Sequence, residues 1–93
     1  MDTFENISQP RQTEKAYRCP CCGYKTLHSR GEFDLCPVCF WEDDGQDDHD
    51  AAKVRGGPNG TLSLSDARQA FKIHGAVEVK FLKNVRAPFA DEV

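Results

Sequence analysis

The chain has 93 residues, a formal net charge of −3 and five cysteines, enough for one domain whose apolar core alone is marginal. No stretch approaches the roughly 20 apolar residues of a membrane span. Met1 to Gln12 is polar, without the apolar segment of a secretory leader, so a soluble, cytoplasmic protein with no membrane partner is expected.

Residues 1–15 are polar and aperiodic and read as a mobile N-terminal arm, leaving 16–93 as a single zinc-stapled domain. Tyr17 and Arg18 lead into Cys19-Pro-Cys-Cys-Gly23, and thirteen residues after Cys22 comes Cys36-Pro-Val-Cys39. Two residues between cysteines let one tight turn aim both thiolates at a point, and two such knuckles make a tetrahedral S₄ cage suited to Zn²⁺ or a single iron. With Cys19, Cys22, Cys36 and Cys39 filling all four positions, one structural Zn²⁺ is the expected cofactor. Five cysteines, an odd count, also fit metal better than disulfides in a reducing compartment. Cys21 reads as a small buried hydrophobe or, alternatively, as a redox-sensitive thiol. Tyr24 to Leu27 and Glu32 to Leu35 suit the two strands of a hairpin between the knuckles.

Charge is segregated along the chain: residues 1–30 carry +2, 31–50 carry −8 and 51–93 carry +3. The acidic run Glu42 to Asp50 fails as an EF-hand, because counting back from Gly45 puts Phe40 where the first aspartate belongs. His28, His49 and His74 are isolated and read as surface or helix-face residues. Gly56 to Gly60 lacks the Lys-Ser/Thr of a phosphate cradle and reads as a structural turn. Ser63 or Ser65 caps a predicted helix, with Ser63-x-x-Asp66 as a capping box. Ala67, Ala70, Phe71 and His74 share its face, and Gly75 stops it. Arg68 on that helix is placed to reach back to the acidic run. From Val77 the pattern fits strand or helix equally, and Pro88 ends it. The predicted fold class is small α+β: a zinc-ribbon β-hairpin with two Cys-Pro-x-Cys knuckles, followed by a C-terminal helical segment.

Cys19-Pro-Cys-Cys-Gly-Tyr24, Cys36-Pro-Val-Cys-Phe-Trp-Glu-Asp-Asp-Gly-Gln46, Gly57-Pro-Asn-Gly60 and Leu62-Ser-Leu64 together resemble the bacterial cysteine-rich CPCC family. The resemblance runs from about Tyr17 to about Pro88. It implies a small intracellular zinc-binding protein, and for members found beside toxins it implies an immunity role.

Two functions follow as expectations. The first is a non-enzymatic immunity protein that neutralises a cognate basic toxin, plausibly a nuclease. Its contacts would be Trp41, Glu42, Asp43, Asp44, Asp47 and Asp48, because an acidic face with aromatic neighbours attracts a basic protein; the alternatives are a solvated charge run and a Trp41 packed on the zinc ribbon. The alternative is a nucleic-acid-associated or regulatory zinc ribbon using Arg11, Lys15, Arg18, Lys25, Arg30, Lys80, Lys83 and Arg86. The eight carboxylates of 31–50 repel nucleic acid, so this partner is disfavoured. No nucleophile–base arrangement or open metal position shows in the spacing.

Overall fold

The computed structural model describes residues 16–93; the arm expected over 1–15 lies outside them. The two knuckles are near copies of each other. Cys19 N donates to Tyr24 O at 2.9 Å and Gly23 N to Cys19 O at 2.8 Å. Cys36 N likewise donates to Trp41 O, and Phe40 N to Cys36 O, both at 2.9 Å. The fifth residue of each knuckle turns left-handed, Gly23 at φ +84° and Phe40 at φ +72°. Glycine takes this conformation freely; phenylalanine does so against its Cβ.

A zinc-ribbon hairpin linking the knuckles is not found. Among the described residues, pairing consists of three isolated antiparallel bridges: Tyr17 with Leu27, Leu35 with Glu42, and Val54 with Ser63. The first two each close around one knuckle. Residues 24–27 and 32–35 do not pair with each other. Phe33, at φ +64°, interrupts the extended conformation that a return strand needs.

Beyond the second knuckle, the acidic run ends in a 3₁₀ turn, Asp48–Asp50, capped by Asp47. The glycine-rich loop holds a second 3₁₀ turn, Gly57–Asn59. Its Asn59 amide serves Glu42 as a strand would, donating to Glu42 O at 2.7 Å and accepting from Glu42 N at 3.3 Å. Helix α1 runs Leu64–His74, with Ser63 and Asp66 forming the expected capping box and Gly75 the left-handed stop at φ +97°. The ambiguous segment is a 3₁₀ helix, Val79–Asn84. Its three-residue period puts Phe81 inward against Phe40, ring centroids 4.5 Å apart.

The core gathers Leu27, Val38, Trp41, Leu64, Ala67 and Val77 around the cysteines. Three carbonyls of the knuckles are tied to later segments: Pro20 O to Arg68 Nε (2.8 Å), Cys39 O to Val77 N (2.9 Å), and Pro37 O to Arg86 N (3.1 Å). The chain past Pro88 then returns to the first knuckle, where Lys25 N donates to Glu92 O at 2.6 Å.

Candidate metal centre

The sulfurs of Cys19, Cys22, Cys36 and Cys39 all lie within 4.8 Å of one another. Cys19 and Cys39 are 3.6 Å apart and Cys22 and Cys36 3.7 Å, far beyond a disulfide bond. A tetrahedron with metal–sulfur bonds of about 2.3 Å has edges of about 3.8 Å, so the set fits one tetrahedral ion. Soft thiolate donors suit zinc or iron. Three of the ligands are buried and Cys22 is half-buried. No other group of three or more potential ligands assembles among the described residues.

Outer groups orient the ligands. Thr26, itself buried, places Oγ1 3.0 Å from Cys36 Sγ, and Val38 N donates to the same sulfur at 3.4 Å. Such contacts fix a thiolate's direction and support its charge. Hydrogen bonds from Cys19, then from Cys22 and Cys39, hold Cys36 well below the ordinary thiol range, with Thr26 adding to them. The chemistry available is that of a closed cage, since four protein donors fill a tetrahedral ion. Cys21 stands outside the set and is buried in the core, as the hydrophobe reading expects.

The acidic face differs from the expected contact set, and Trp41 follows the packed alternative. Trp41 and Asp43 are both fully buried, so neither is available to a partner. Trp41 is a core residue packed with the cysteines. Asp43 accepts from Arg30 Nε and Gly31 N, each at 2.8 Å, and from Gly45 N at 3.1 Å. Arg30 also binds Asp47 at 3.0 Å, Arg55 binds Asp50 at 3.0 Å, and Arg68 binds Asp48 at 2.7 Å. The Asp48 amide first, and Arg30 second, hold Asp47 below the usual carboxylate range. Asp44 turns one oxygen to Gln46 N at 3.0 Å. Four aspartates of the run are thus folded onto three arginines. Glu42, Asp44, Asp47 and Asp48 are what the expected contact set leaves at least partly exposed. The Arg68 clamp is as the sequence suggests; Arg30 and Arg55 were not anticipated, because only the folded path brings them there.

The C-terminal segment was also unanticipated. Glu92 is fully buried and receives both Nη atoms of Arg86, at 2.8 and 3.0 Å, and Phe89 N at 2.8 Å. Arg86 in turn lies 3.7 Å over the Phe89 ring. Glu92 carries no signal of burial by itself; an Arg and a Glu six apart across a proline are the only hint. His49 is strongly exposed and joins no metal group.

No helix among the described residues is long and apolar enough to cross a membrane. No curated protein and no solved structure matches the chain. A family described as cysteine-rich CPCC matches residues 17–92, from the tyrosine that opens the first knuckle to the buried Glu92. With both Cys-Pro-x-Cys knuckles inside that span and their sulfurs converging, the chain belongs to the cysteine-rich CPCC family.

Proposed function

We propose that the chain is a non-enzymatic, cytoplasmic protein-binding module in which one structural Zn²⁺ holds the fold, and that its partner is a basic protein toxin which it neutralises. The convergence of four cysteine sulfurs within 4.8 Å carries this reading. A tetrahedral ion so held has no position left for substrate, which assigns the metal to architecture and leaves the surface to do the work. A binding role suits so small a stapled domain. The exposed Asp48 and the half-buried Glu42 and Asp47 favour a basic partner, discounted by the arginines that share three of the run's exposed or half-exposed aspartates. The toxin role comes from the resemblance to family members with immunity functions. The nucleic-acid alternative loses two of its cations, since Arg30 and Arg86 are engaged with Asp43 and Glu92.

Native mass spectrometry of the protein isolated from its own host at low salt tests both parts. One zinc and a stoichiometric basic partner, with association that slows as salt is added, is the expected result. A zinc-loaded protein alone, or association indifferent to salt, removes the toxin reading and keeps the metal. A protein without metal removes the whole proposal.

A further inference from the structure

We propose that the slot between the second knuckle and the Val77–Phe81 segment is where a protein partner seats a lysine or arginine side chain. This rests on the protein-binding reading and names the surface that reading would use.

The slot has a volume of about 170 Å³. That is small for a cofactor or drug-sized ligand, and it suits one long side chain. Its walls are Leu35, Phe40, Leu62 and Phe81, and its polar members include Glu42 and Glu78. This is the chemistry that holds a cationic side chain: apolar walls for the stem, aromatic rings and carboxylates for the head. The charge balance is open here, unlike in the aspartate run. Glu42 has no ion-pair partner among the described residues, and Glu78 has only Lys80, at 3.6 Å. Lys80 also lies 5.2 Å from the Phe81 ring centroid. The chain's own ammonium therefore already rests against one carboxylate and one ring of the slot. That pair is solvent-exposed and weak, so an incoming cation displaces it at little cost.

Phe33 lies two residues before the slot-lining Leu35 in the chain. Its φ of +64° is disfavoured for any side chain with a Cβ, yet its ring is 53% exposed, so no burial compensates for the strain. Strain retained at an exposed aromatic is the pattern of a residue kept for what it touches outside the chain. Leu35 is 41% exposed and lines the slot.

The test is an NMR titration of metal-loaded, amide- and methyl-labelled protein with N-acetyl-arginine methylamide, and with the citrulline analogue as neutral control. Arginine is expected to shift the Leu35 and Leu62 methyls with a dissociation constant on the order of a millimolar. The Glu42→Gln, Glu78→Gln double variant should weaken this by about fivefold or more while keeping its metal, both side chains being partly exposed. Equal shifts with citrulline, shifts centred on Asp47–Asp50, or none at all overturn the slot. The titration involves no partner protein, so its failure leaves the binding function standing. Intact arginine binding in a protein that captures no partner from its host defeats the function and keeps the slot.

Discussion

Phe33 and Phe40 share a left-handed backbone and differ in what surrounds them. Returning such a residue to glycine relieves about 1–2 kcal/mol of steric cost, against roughly 0.5–1 kcal/mol of added unfolded-state entropy. At exposed Phe33 little else changes, so Phe33→Gly is expected to gain up to about 1 kcal/mol and to melt a few degrees higher. Phe40→Gly gains the same relief but loses the ring packed on Phe81, and is expected to lose about 2 kcal/mol. Thermal unfolding of the metal-loaded variants checks both; a lower melting temperature for Phe33→Gly would mean that no strain is stored there. Asp43 is the other extreme. Asp43→Asn leaves Arg30 without its buried partner and should cost about 3 kcal/mol in urea unfolding. The four converging cysteines, Ser63 and Gly75 were legible because their placement is local, set by residues three or four away. Asp43 was not, because its partner lies thirteen residues upstream and reaches it only through the turn at Gly31.

At the scale of elements, α1 was legible in its cap and stop and in most of its apolar face, since these lie within one stretch of sequence. His74 was the exception, assigned to the packed face but exposed in the last turn. The inter-knuckle hairpin was misread because alternation at Tyr24–Leu27 and Glu32–Leu35 is too short to specify a partner strand. The knuckles instead recruit their own flanks. The tail past Pro88 was invisible as structure, since its order comes from one buried carboxylate. Glu92→Gln should therefore destabilise by about 3 kcal/mol. It should also speed hydrogen exchange at Lys25 and Arg86, whose amides donate to Glu92 O and Pro37 O. Unchanged protection at those two amides would show that the tail is held by something other than Glu92.

For the whole molecule, the −8 block was read as an open face, whereas arginines on either side of it fold over the aspartates. Charge along a sequence does not say which ions will meet. With so few aliphatic residues in the core, metal removal is expected to unfold the domain, since a structural site contributes on the order of 10 kcal/mol. Buried Trp41 reports this directly: chelation should shift its fluorescence to the red, and Cys36→Ser should do the same without chelator. Cys21→Ser should keep the metal and cost about 1 kcal/mol. Acid acts in the same direction. Asp47 and Asp50 have depressed values when folded, so their contribution is present above the usual carboxylate range and is lost as pH falls through the folded values. Protonation of the thiolates is expected to release an ion held there as well. The ties between knuckle carbonyls and later segments also dictate an order of events in folding. The ligands fall within one short stretch, Cys19 to Cys39, whereas Arg68 meets Pro20 across 48 residues of chain. Closing the short loop costs less entropy, so capture of an ion by these sulfurs is expected first, supplying the surface on which α1 and the tail condense. Refolding started by adding zinc should then show an early, ligand-dependent phase followed by slower burial of Trp41.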